Sequence, residues 1–184
     1  MKKYEFTVNT KNVCGKTLFQ IKALINFGNV KAGELGGYIE KEENLSHDGN
    51  AWVYDNACAY GNVQICGNAQ IYGNAQVFGN ACVCDNARVY DNARVYDDAW
   101  ISGSACIYNN ACIYDNAEIY DNAEIYGNAR VYGVAWVVIM QKFMAIQKLI
   151  FKLIKTLKNF RKRMSGILTF QIFLLISYSR IMPP

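Results

Sequence analysis

The chain has 184 residues, enough for one domain with a substantial buried core. Its net charge of +4 is an average over three unlike segments. Residues 1–49 carry seven Lys/Arg and six Asp/Glu, residues 50–137 three and nine, and residues 138–184 nine and none. The basic excess therefore belongs to the last segment and gives no ground for a nucleic-acid partner.

Seven cysteines and a single histidine narrow the chemistry further. All the cysteines but Cys14 fall at repeat positions rather than at metal-ligand spacing; "CVC" at 82–84 is not a CxxC, and His47 is far from it. No metal site is expected. The opening "MKKYEFTVNT" has the charge of a signal peptide but lacks its apolar stretch. Reduced thiols in a cytoplasmic protein are the expectation.

In chain order, residues 1–38 read as a cap and first irregular coil, with Leu18, Ile21, Leu24 and Phe27 as its apolar anchors. The glycines of "AGELGGY" lack G-x-G-x-x-G spacing, so no phosphate loop is assigned; "GELGGY" reads as backbone turns at the end of a coil. His47, in "NLSHDG", is the one imidazole available to a general base. A lone loop histidine is more often an ordinary solvated residue, and adjacency to Asp48 does not make a catalytic pair. No catalytic residue and no cofactor-binding residue is assigned.

From Asn50 to Gly133 fourteen consecutive hexads follow N-A-x-[VI]-Y-[GD] without insertion or deletion. A period of six suits neither an α-helix nor a coiled coil, but it fits a short strand and a tight corner. The β-branched residue (Val53, Ile65, Ile71, Val77, Val83, Val89, Val95, Ile101) points inward and its strand neighbours outward. Asn with Gly or Asp forms the corner, because these residues tolerate left-handed backbone. Three strands and three corners close an eighteen-residue coil, so the hexads supply between four and five coils. Coils stack as parallel strands roughly 4.8 Å apart, with ladders of like residues. The fold class is all-β, a parallel β-helix spanning 39–137, preceded by the cap at 1–38 and followed by a non-repeat tail at 138–184.

The [LIV]-x-x-x-[STAV]-x spacing, with the leading segment "IKALINFGNVKAGELGGYIEKEENLSHDGNAWVYDNA", resembles bacterial and phage-encoded hexapeptide-repeat proteins, often labelled transferases. The resemblance covers roughly residues 18–137 and implies a left-handed helix, although parallel crossovers are normally right-handed. It also implies an acyltransferase-like alternative: trimers with sites between subunits, an acyl-CoA donor, a histidine base and a loop leaving the helix. This chain departs from that pattern, with one histidine and no loop inserted in the fourteen hexads. The reading preferred is a non-catalytic structural or binding module.

Eighteen-residue stacking sets Tyr54, Tyr72, Tyr90, Tyr108 and Tyr126 in one outward column and Tyr60, Phe78, Tyr96, Tyr114 and Tyr132 in a second. The third holds Cys66, Cys84, Ser102 and Tyr120, with the two thiols on adjacent coils within plausible disulfide reach. The aromatic columns either stabilise neighbouring coils or form a docking face for another subunit, another protein or a sugar.

The repeat breaks inside "YGNARVYGVAWVVIMQKFMA" (126–145). As written, Phe143, Ile146, Ile150, Leu153, Leu157 and Phe160 recur at helical spacing among lysines, a pattern that can lie on an anionic membrane surface. "GILTFQIFLLISY", thirteen residues, is too short to span a bilayer. Membrane contact is thus expected only if this tail is genuine. Starting one base earlier, on the third base of the Val138 codon, Met140–Gln141 must read Ala and Met144–Ala145 must read Gly. The regrouped stretch accommodates "DNAEIYGN", with Ala six positions after Ala135, where the repeat requires it. A base lost between Trp136 and Ile139 accounts for the break, the absent acidic residues and the altered composition together. Resequencing across these codons should recover further hexads in the other frame; an immediate stop there refutes the shift.

Overall fold

The computed structural model describes residues 1–138. The readings of the tail as a helix, a membrane contact or a shifted frame fall on residues outside these, Val138 excepted. All regular structure in 1–138 is β, apart from one 3-10 turn at Glu42–Asn44. Among the described residues no helix is long and apolar enough to cross a membrane.

The chain forms a parallel β-solenoid of about six turns, to which the hexads contribute between four and five. In each hexad, residues three and four make a two-residue strand that pairs in register with the residues eighteen positions away. Three sheets result. Sheet I runs through Cys58–Ala59, Gln76–Val77, Arg94–Val95, Cys112–Ile113 and Arg130–Val131. Sheet II holds Trp52–Val53, Gln70–Ile71, Arg88–Val89, Cys106–Ile107 and Glu124–Ile125. Sheet III holds Gln64–Ile65, Cys82–Val83, Trp100–Ile101, Glu118–Ile119 and Trp136–Val137.

The inward column is as the period requires: Val53, Ile71, Val89 and Ile107 are fully buried, as is the second residue of each hexad, alanine in all but one, where it is Val63. One apolar core runs the length of the solenoid. Alanine keeps the cross-section narrow, and the aliphatic residue fills what remains. The sixth residue of every hexad from Asp55 to Gly133 has positive φ, between 51° and 83°. Glycine adopts this freely, and Asp and Asn at modest cost.

The N-terminal segment supplies the first coil. Strand β1 (Tyr4–Val13) pairs antiparallel with β2 (Lys16–Ala23), which pairs antiparallel with β3 (Leu35–Ile39). Strand β3 then joins sheet I in parallel with Cys58–Ala59, and Leu45 bridges Ile65 of sheet III. The solenoid edge is thereby extended by a hairpin instead of being left bare. Leu18 and Ile21 are fully buried and Phe27 packs on the core, whereas Leu24 is 39% exposed.

In "GELGGY" the turn is confined to its first residue, Gly33, at φ 89°. Leu35–Ile39 is a strand, and neither Gly36 nor Gly37 has positive φ. A Cβ on Gly36 would lie 2.6 Å from Ile21 Cγ1 and 2.7 Å from the Trp52 ring, and one on Gly37 would lie 2.6 Å from the Ala57 carbonyl. These glycines serve close packing under the cap, not backbone reversal. Trp52 marks the same junction: its position is outward in other coils, but here Tyr4 and Phe27 cover it completely.

Asp121, at φ 56°, tests the corner argument. Asp121→Gly should leave stability within about 1 kcal/mol, whereas Asp121→Val should cost about 1–2 kcal/mol or more, both read from urea denaturation.

Candidate functional site

The corners present asparagine amides in ladders. Asn50 Nδ2 donates to Asn68 Oδ1 at 2.9 Å and Asn68 to Asn86 at 3.0 Å. At the corner between sheets II and I the Asn74–Asn92 and Asn92–Asn110 contacts lengthen to 3.4 and 3.5 Å. A shallow groove of about 630 Å³ follows this corner, lined by amides, glycine backbone and the Asp91 carboxylate. Its lining holds hydrogen-bond donors and acceptors but no cation, histidine or thiol.

The aromatic columns lie where the period sets them, and their geometry is now specific. In sheet II, Tyr72, Tyr90, Tyr108 and Tyr126 stack with centroids 4.9, 4.9 and 5.3 Å apart. Tyr54, at the capped end, meets Tyr72 edge-on at 6.3 Å. In sheet I, Tyr60, Phe78, Tyr96, Tyr114 and Tyr132 stack at 4.8–5.2 Å with interplanar angles of 1–13°. The spacing is that of the coils themselves, so ring faces are spent on one another and the surface shows ring edges. Tyr60 is 5% exposed and Tyr132, at the far end, 59%. Burial pushes the Tyr60 and Tyr90 phenols up to about 12, keeping both protonated as donors.

His47 is not a free loop residue. The Lys3 backbone N–H donates to its Nδ1 at 3.1 Å, its Nε2 lies 2.7 Å from Glu42 Oε1, and its ring stacks on Tyr4 at 4.4 Å. Because Nδ1 accepts, Nε2 carries the hydrogen that faces Glu42. Hydrogen bonds from His47 and Lys2 hold the Glu42 carboxyl below its usual range. Lys3 completes the cluster: its side chain is buried, Nζ donates to the Ala51 carbonyl at 2.9 Å, and it sits 4.9 Å over the Phe27 ring. Burial lowers this ammonium to about 8, partly offset by Asp48. Sequence reasoning missed Lys3, since nothing in "MKKY" distinguishes a buried lysine from a solvated one.

All seven cysteines are free. Burial, with Cys82 alongside, pushes the Cys84 thiol up to about 12, so it stays protonated and is a poor nucleophile. Among the described residues no cluster of three His, Cys, Asp or Glu side chains is placed to hold a metal.

The repeat profile described as YdcK Beta solenoid repeat matches residues 69–85, 87–103 and 123–137. Over 52 residues the chain is 42% identical to a protein of Escherichia coli (strain K12) described as an uncharacterized acetyltransferase, YdcK. That stretch is 28% of this chain and 15% of the relative. The match thus leaves most of the relative's length uncovered.

Replacing Tyr72, Tyr90 and Tyr108 together with Ser removes four ring contacts. At about 0.5–1.5 kcal/mol each, the variant should lose about 2–6 kcal/mol of stability in thermal and urea melts. An unchanged melt would show that the stacking contributes nothing.

Proposed function

We propose that this β-solenoid, part of which matches the YdcK repeat profile, serves as a non-catalytic binding module whose outward faces dock a protein partner or a further copy of the chain. One observation carries this reading. The sole histidine is held on both ring nitrogens and on one face by the cap, which leaves it no nitrogen for a substrate. The corners support the same reading: each hexad turns at its sixth residue with no loop leaving the coil to build an acceptor pocket. The seven free thiols fit a reducing, cytoplasmic setting. The docking surface is formed by the tyrosine edges and the outward side chains beside them, since tyrosine gives apolar area with a hydroxyl handle.

A second reading, an acyltransferase-like enzyme using an acyl-CoA donor, is favoured by the 42% identity to a protein described as an acetyltransferase. Acetyl-CoA separates the two. Under the non-catalytic reading, millimolar acetyl-CoA shifts neither the melting temperature nor the calorimetric heat of the full chain. A saturable shift, abolished by His47→Gln in a variant that remains folded, would overturn it in favour of the enzyme.

A further inference from the structure

Sheet II has an outward surface whose charges suit its own inverted copy. Its outward strand column reads Gln70, Arg88, Cys106, Glu124, one residue per coil in strict register. Arg88 and Glu124 are exposed, neither forms a salt bridge within the described residues, and each is one coil from Cys106. Both act on the Cys106 thiol, Arg88 lowering and Glu124 raising its pKa beneath a larger rise from burial. Opposite charges therefore stand at equal axial distances from a neutral midpoint, about 10 Å apart by the strand spacing. Beside them runs the column Tyr72, Tyr90, Tyr108, Tyr126, nearly flat because its rings stack.

We propose that sheet II is the interface of a two-fold dimer in which the solenoids run antiparallel. This rests on the docking reading above and names the occupant as a second copy of this chain. A two-fold axis through Cys106, in the plane of the face and along the strands, reverses the order of coils. It sets Arg88 opposite Glu124 of the partner subunit, twice, and Cys106 opposite its own symmetry mate. The tyrosine columns then face each other about Tyr108. Isologous interfaces require this self-complementarity. A parallel arrangement opposes Arg88 to Arg88 of the partner subunit and Glu124 to Glu124 of the partner subunit, or sets the charged column against the tyrosine column, and in neither case pairs opposite charges.

The other two sheets lack the property. Sheet I presents Arg94 and Arg130 about Cys112, so inversion opposes like charges. Sheet III presents Cys82, Trp100, Glu118 and Trp136, with one acidic group and no base. The charge pairs set register and orientation, while desolvation of tyrosine edges and the Cys106 column supplies the attraction.

Sedimentation equilibrium of the full chain tests the proposal. The wild type should be dimeric at tens of micromolar, in the range of a modest interface. Arg88→Glu and Glu124→Arg each place two like-charge contacts in the dimer and should each give monomers. The double variant R88E/E124R restores both pairs and should dimerise again. Arg94→Glu, on sheet I, should leave the mass unchanged, and a melt on each sample checks folding. A short bismaleimide should join two chains through Cys106, and the product should vanish in Cys106→Ser but persist in Cys112→Ser. A monomeric wild type, dimeric single variants, or a double variant that stays monomeric would each overturn the antiparallel dimer. None of these outcomes depends on acetyl-CoA, so the dimer can fail while the non-catalytic reading stands, and the reverse.

Discussion

The backbone hydrogen bond from each rung to the coil beyond it constrains everything else in this molecule. Trp52 N–H donates to the Ala69 carbonyl at 2.9 Å, Tyr72 to Val89 at 3.0 Å, and Tyr120 to Val137 at 3.0 Å, each seventeen residues on. A donor that reaches residue i+17 sets residue i over i+18. Each surface feature is therefore a column, and each column is one sequence position read every third hexad. Two-residue strands make few such bonds apiece, so the coils hold only as a stack.

Corners keep that register. An aspartate at the sixth position does more than adopt positive φ: its carboxylate accepts the backbone N–H of the corresponding corner in the next coil. Asp55 receives Gly73 N–H at 3.1 Å, Asp85 receives Gly103 at 3.0 Å, and Asp115 receives Gly133 at 3.0 Å. Glycine frees the backbone at no steric cost, while aspartate supplies an acceptor to a donor the ladder leaves out. The alternation of the two along "YDNA" and "YGNA" thus has a structural use, not merely a permitted one.

Stacking also redistributes what the surface can recognise. Rings piled at coil spacing turn their faces to each other, so a tyrosine column offers edges and hydroxyls instead of platforms for a sugar or base. Variation from coil to coil then falls to the residue two positions before the ring. Arg88, Cys106 and Glu124 give sheet II one character, Arg94, Cys112 and Arg130 give sheet I another, and Trp100 and Glu118 give sheet III a third.

The sequence by itself determined the rungs, the inward column, the positive-φ corners and the membership of each aromatic ladder, because a strict period makes them local properties repeated at fixed spacing. The hand of the coil came from resemblance, since register is the same for either hand. Tertiary structure alone decided the rest. That Gly36 and Gly37 lie in a strand, that Trp52 is covered, and that His47 is held by Lys3 and Tyr4 all depend on contacts across the cap between residues far apart in sequence. The cap occurs once and has no period to read. In the ladders, composition placed the rings in a column, but only the coil spacing made them stack face to face and left their edges outward.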